Sequence, residues 1–70
     1  MQSYSHSSAK ERRALILKML ETENELSVTA LSKNLGISEV TIRKDLTNLH
    51  NRNLLVRTRG GAIRKPIENL

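Results

Sequence analysis

The stretch that decides the fold is Leu35-Gly36-Ile37-Ser38-Glu39-Val40-Thr41-Ile42-Arg43-Lys44-Asp45-Leu46-Thr47-Asn48-Leu49. Gly36 suits the left-handed position that follows a helix, because it has no Cβ to clash there. Ser38 is a good N-cap for the next helix, and Glu39 at its first position suits the positive end of the helix dipole. At about 100° per residue, Ile42, Leu46 and Leu49 share one narrow apolar stripe. Val40, Arg43, Lys44, Thr47 and Asn51 fall opposite. The pattern predicts two helices joined by a short turn, with Ile37 dipping into the core. The second helix is expected over Glu39 to Arg52, apolar side in and basic side out. Asp45 lies at the edge of the stripe among basic residues. A structural ion pair is its expected role, with readout of a cytosine as the secondary one.

Towards the N-terminus, Ser27 is a good cap for the helix that leads into this turn, expected over Val28 to Leu35 with Val28, Leu31 and Leu35 inward. Glu25-Leu26-Ser27 is ambiguous and could be one extended segment that pairs with a later hairpin. Ser8-Ala9-Lys10-Glu11 has the capping-box pattern, in which hydroxyl and carboxylate each take a free backbone N–H. A first helix is expected from Ala9 to about Thr22, with Leu15, Ile16, Met19 and Leu20 as its apolar stripe. Towards the C-terminus, Asn53 can stand in for glycine as a helix stop. Leu54 to Arg59 reads as a strand, Gly60-Gly61 as a hairpin turn and Ala62 to Lys65 as the returning strand, stopped by Pro66. Alternation puts Leu54 and Val56 on one face and Arg57 and Arg59 on the other.

The expected fold is mainly α with a small β-hairpin, a three-helix winged helix–turn–helix over residues 9–65. Residues 1–8 read as a disordered, Ser-rich lead, and 66–70 as a tail or the start of a linker. Seventy residues hold one domain at most. Tyr4 is the only aromatic residue, so the core must be aliphatic. Stacking of bases on several aromatic rings is thereby excluded, which argues against single-strand and RNA-recognition modules of that kind.

The net charge of +5 suggests a polyanionic partner. Its placement is more telling. Between Val40 and Lys65 lie Arg43, Lys44, Arg52, Arg57, Arg59, Arg64 and Lys65 against the single acid Asp45, whereas the cations of the first half are nearly balanced by Glu11, Glu21, Glu23 and Glu25. A local excess favours a binding face over general solubility. There is no cysteine, hence no disulfide framework and no thiolate metal site. No apolar run approaches the roughly 18 residues of a membrane span, and no apolar signal core opens the chain. His6 and His50 have no nucleophile at a recognisable spacing, and Gly60-Gly61 precedes a strand rather than a helix. No enzymatic activity, cofactor or metal is therefore expected.

What the outward helix face can do follows from its donors. Arg43 and Lys44 can donate to guanine acceptors or to phosphates, Thr41 and Thr47 to either, and Val40 can meet a thymine methyl. Ser38 is foremost a cap, though the same helix N-terminus can hold a phosphate. A thin hairpin with Arg57, Arg59, Arg64 and Lys65 around a Gly-Gly tip can follow a backbone or enter a minor groove, where arginine is favoured. The alternatives are a winged helix docking an acidic protein through the same basic face, and double-stranded RNA. The DNA major groove is the better fit for a helix.

The string Ser38-Glu39-Val40-Thr41-Ile42-Arg43-Lys44-Asp45-Leu46, then Leu49 and Leu54-Leu55-Val56-Arg57-Thr58-Arg59-Gly60-Gly61-Ala62, resembles the DNA-binding domain of the DeoR family of bacterial transcriptional repressors. The resemblance runs from about Arg12 to Ala62. It implies a recognition helix over 39–52, in the major groove of an operator, and a wing over 54–65 on the backbone or minor groove. It implies contacts from Ser38, Thr41, Arg43 and Lys44. Glu39, Val40, Thr47, Arg57, Arg59, Gly60 and Arg64 complete the candidate face. It further implies a larger cytoplasmic, nucleoid-associated homo-oligomer, whose C-terminal domain senses a phosphorylated sugar and which represses carbohydrate-utilisation genes. Lys44 stands where the family more often has Arg, Arg59 where His or Tyr is frequent, and Asn53 where Gly is usual. The first two bear on the operator sequence, because lysine lacks arginine's bidentate fork.

Overall fold

A computed structural model describes residues 8–66. The expected lead up to Ser7 and the tail from Ile67 lie outside the described residues. The elements in chain order are α1 (Ala9–Glu23), β1 (Glu25–Ser27), α2 (Val28–Leu35), α3 (Glu39–Asn51), β2 (Leu55–Thr58) and β3 (Gly61–Arg64).

Local chemistry sets each boundary. The Ser8 hydroxyl accepts from the Glu11 N–H at 3.1 Å while Glu11 accepts from the Ser8 N–H at 3.3 Å, the reciprocal capping box that opens α1. Asn24 closes α1 in the left-handed conformation, φ 67°. Ser27 accepts from the Ala30 N–H at 2.9 Å and opens α2, which Gly36 stops at φ 67°. Ser38 accepts from the Thr41 N–H at 3.2 Å and opens α3. That helix ends at Asn51, one residue before the expected limit. Asn53 takes φ 63°, its N–H donates to the His50 carbonyl, and the Leu54 N–H donates to the Leu49 carbonyl. This is a Schellman stop with asparagine in place of glycine.

The Glu25–Ser27 segment does pair with the hairpin. The sheet has three antiparallel strands in the order β1-β3-β2, so β3 is central. Two expectations about the hairpin need correction. The tip is Arg59-Gly60, one residue earlier than expected, because Thr58 pairs with Gly61 and Gly61 already belongs to β3. Neither tip residue takes a positive φ. Gly61 serves a different need. A Cβ there would stand 1.9 Å from the Leu26 carbonyl oxygen, so only glycine lets β1 approach. The other correction concerns the strand face. Leu55 is buried and Leu54 is exposed, so the inward face is the one that Leu55 shares with Arg57.

The core is aliphatic throughout: Ile16 and Leu20 of α1, Leu26 of β1, Val28, Leu31 and Leu35 of α2, Ile42, Leu46 and Leu49 of α3, Leu55 and Ala62 of the hairpin. Leu15, Leu17, Met19 and Ile37 pack around it. Burying each large aliphatic side chain contributes roughly 1.5–3 kcal/mol. Within this core Asp45 is fully buried. Its carboxylate accepts from Arg12, through Nε and at 2.9 Å through Nη2, and from Arg13 Nε at 2.9 Å. The hydrogen bond to Asp45 raises the Arg12 guanidinium above its ordinary value, against the opposing effect of its partial burial. Asp45 therefore ties α3 to the first turn of α1 and does not face the outer side of α3, which removes cytosine readout from its roles.

Candidate nucleic-acid interface

The turn between α2 and α3 is locked from below. The Ser32 hydroxyl donates to the Ile37 carbonyl at 2.6 Å, and the Gly36 and Ile37 N–H groups both donate to the Ser32 carbonyl. With Ile42, Leu46 and Leu49 fully buried, α3 cannot roll without exposing three aliphatic side chains. Its other side is thereby fixed outward.

That side carries most of the candidate residues. Val40 is 60% exposed, an unusual position for a β-branched apolar residue on an otherwise polar face. Arg43, Lys44 and Thr47 are exposed, and Thr41 is half-buried. The Ser38 hydroxyl donates to Thr41 Oγ1 at 3.1 Å, so the cap and the first turn form one polar unit. Arg43 Nη2 donates to Glu39 Oε1 at 3.0 Å, one turn apart on the same helix. The other oxygen of Glu39 accepts from the Thr29 hydroxyl on α2 at 3.3 Å.

The hairpin divides the rest. Arg57 Nη1 donates to Thr47 Oγ1 at 2.8 Å, and the Arg57 backbone N–H donates to His50 Nδ1 at 3.3 Å. Arg57 is therefore half-buried against α3, with its Nε sealed from solvent and without a hydrogen-bond partner among the described residues. Arg59 and Gly60 form the exposed tip. Arg64 stands apart, at the base of the wing, where its Nη1 donates to Asn24 Oδ1 at 3.1 Å at the end of α1. The structure thus gathers Ser38, Glu39, Val40, Thr41, Arg43, Lys44, Thr47 and Arg57 around α3. It holds Arg59 and Gly60 at the far end of the hairpin and Arg64 at its root.

Sequence reasoning missed four participants. Thr29 buttresses Glu39, His50 accepts from the backbone of β2, and Arg12 with Arg13 neutralises Asp45. The Thr29 and His50 contacts join residues 7–10 positions apart across a turn, and no periodicity marks them. The arginines lie more than 30 positions from Asp45.

The family model described as "DeoR-like helix-turn-helix domain" matches residues 12–66. The chain is similar to the transcriptional repressor AccR of Agrobacterium fabrum, 41% identical over 80% of this chain and 22% of that protein. It is similar to the HTH-type transcriptional regulator GlpR of Haloferax volcanii, 42% identical over 76% of this chain and 21% of that protein. It is also similar to the L-fucose operon activator of Haemophilus influenzae, 41% identical over 84% of this chain and 24% of that protein. The chain spans about a fifth to a quarter of the length of these relatives. No solved structure matches it. Among the described residues, no helix is long and apolar enough to cross a membrane.

Proposed function

Because the chain belongs to the DeoR-like helix–turn–helix family, the DNA-binding module of transcriptional regulators, we propose that it reads duplex DNA with α3 in the major groove and the β2–β3 hairpin on the flanking backbone or minor groove. One observation carries this reading. Val40, Arg43 and Lys44 project from a helix whose opposite side is sealed by fully buried Ile42, Leu46 and Leu49. A short cylinder with a fixed roll and an exposed apolar-plus-cationic face matches the donor, acceptor and methyl pattern of major-groove base edges.

Within that reading Arg43 donates to a guanine, Val40 meets a thymine methyl, and Lys44, with the capped N-terminus at Ser38 and Glu39, lies along phosphates. Thr41 and Thr47 supply hydroxyls at the margins of the groove. Arg57 braces Thr47 through Nη1, which leaves Nη2 for the backbone. Arg59 and Gly60 take the wing tip to a phosphate or the minor groove, and Arg64 contributes charge at the wing base.

The whole protein we propose to be a cytoplasmic, nucleoid-associated homo-oligomeric repressor of carbohydrate-utilisation genes. It acts by binding rather than by catalysis, and a phosphorylated sugar on a C-terminal domain sets its activity. That one relative is named a repressor and another an activator of the L-fucose operon supports a role in gene control and leaves the sugar link to this proposal. Two copies would meet half-sites a whole helical turn apart, roughly 10 base pairs or a multiple. Tethering raises the effective concentration of the second copy, so a single domain binds weakly.

The test is fluorescence titration of the chain with a duplex selected from a randomised pool and with a scrambled duplex. Arg43→Ala is expected to remove roughly 1–3 kcal/mol of discrimination between the two. Equal weakening on both duplexes would make Arg43 a phosphate contact instead. Arg59→Ala is expected to reduce the slope of log affinity against log salt by about one. An unchanged slope would take the wing off the DNA, and no salt-dependent binding to any duplex would end the reading.

A further inference from the structure

Glu39 is the one carboxylate on the outer side of α3 near Arg43 and Lys44, a face proposed to meet polyphosphate. A first-turn acid is ordinary, since it complements the helix dipole. The dipole does not explain why both oxygens of Glu39 are engaged, one by Arg43 Nη2 at 3.0 Å and one by the Thr29 hydroxyl of α2 at 3.3 Å. We propose that Glu39 is a positioning residue that fixes Arg43 for base reading while its charge repels phosphate, so that it raises specificity while lowering overall affinity. This inference rests on the DNA-binding reading above and deepens it.

Arginine is among the side chains that lose most rotamer freedom when ordered. A guanidinium already held in the free protein is spared that loss on binding, which is what preorganisation means energetically. Glu39 occupies one of the five guanidinium N–H donors, so four remain, enough for a bidentate grip on guanine O6 and N7. Thr29 belongs to the first helix of the helix–turn–helix. The chain Thr29, Glu39, Arg43 thus refers the guanidinium to the rigid frame rather than to its own flexible stem.

The charge of Glu39 acts beside this positioning. Glu39 and Arg43 are both substantially exposed, with side chains 41% and 52% accessible. On a random duplex, where Arg43 has no guanine to grip, the carboxylate still faces phosphate oxygens and repels them. On the proper site the base contact offsets that repulsion. The repulsion therefore lowers both affinities, and the discrimination comes from the positioning of Arg43.

The experiment measures the ratio of affinities for the pool-selected duplex and the scrambled duplex, with thermal melting to confirm that each variant is folded. Glu39→Ala is expected to lower the ratio roughly 3- to 10-fold, within the range of coupling between contacting residues, while affinity for the scrambled duplex rises. Glu39→Gln keeps an oxygen for Arg43 but not the charge. Its ratio should fall less, although its scrambled-duplex affinity rises equally. Thr29→Val changes no charge, so a fall in its ratio reports positioning alone. In an Arg43→Ala background, Glu39→Ala should leave the ratio where Arg43→Ala put it. The proposal is overturned if Glu39→Ala strengthens both duplexes by one factor, or shifts the ratio equally with and without Arg43. If Arg43→Ala by itself leaves the ratio intact, the assignment of Arg43 as a base reader fails, and that outcome is distinct from a failure of Glu39 alone.

Discussion

Helix α3 carries two carboxylates six positions apart, and each holds arginine, yet they belong to different regimes. Asp45 is fully buried and bonded to Arg12 and Arg13 from another helix. Glu39 is half-exposed and bonded to Arg43 on its own helix. The hairpin repeats the contrast with two neighbouring glycines. Gly61 is pressed against the β1 backbone, whereas a Cβ on Gly60 would meet nothing within 4 Å. In each pair one member holds the scaffold and the other is free to face a partner. Chemically like residues, placed differently, thus separate what keeps the fold from what the fold presents.

The sharpest way to break this contrast is at Asp45. Asp45→Ala leaves two guanidinium groups beside an apolar core with no counter-charge, which for a buried pair costs about 3–5 kcal/mol. A domain of this size has on the order of 3–9 kcal/mol in total, at 0.05–0.15 kcal/mol per residue. The variant is expected to be largely or wholly unfolded in urea or thermal denaturation, and its DNA binding should fall with its fold. A loss below about 1 kcal/mol would place Asp45 in the same regime as Glu39. Arg12 adds no pH dependence near neutrality. The folded-state value of Arg12 is raised by its hydrogen bond to Asp45, so its contribution is present below the unfolded value and is lost only as pH climbs through the raised value, far above neutrality.

The glycines give the next largest effect. Gly61→Ala puts a methyl group 1.9 Å from the Leu26 carbonyl oxygen, so β1 must shift. The expected cost is about 1–3 kcal/mol, the usual range for overpacking. Faster hydrogen exchange should appear at the amides of Val28 and Arg64, which donate across the β1–β3 boundary to Gly60 and Asn24. Gly60→Ala should leave those amides protected and change stability by no more than about 0.5 kcal/mol. Equal responses of the two variants would mean that the tip, not the close approach, demands glycine.

This division explains how much was legible beforehand. Caps and stops depend on one residue and its neighbours, so Ser8, Ser27, Gly36, Ser38 and Asn53 could be read directly, and helical boundaries moved by a single residue. The face of α3 followed from spacing alone. The wing was harder, because Leu54 and Leu55 are both apolar and a one-residue change of phase exchanges the two sides of a strand. Arg57 therefore read as an outward cation, although it lies against Thr47. Gly61 read as a turn residue because the β1 backbone that needs its missing Cβ lies some 35 positions away along the chain. The partners of Asp45 were hidden for the same reason: contact between α1 and α3 has no local signature.

The smallest expected effect makes the contrast quantitative. Arg43→Ala removes an ion pair one turn apart on an exposed helix face, a contact that contributes about 0.3–0.5 kcal/mol. The side chain is already half exposed, so little burial is lost, and alanine's higher helix propensity works in the opposite direction. The unfolding midpoint should therefore hardly move, whereas discrimination between duplexes should fall severalfold. Arg12→Ala should do the reverse. It strips one of two partners from a buried carboxylate and lowers the midpoint, yet leaves the specificity ratio of the surviving folded fraction unchanged. A large stability loss from Arg43→Ala would make the outer pair part of the scaffold. The separation between holding and reading on α3 would then fail at the residue on which it most depends.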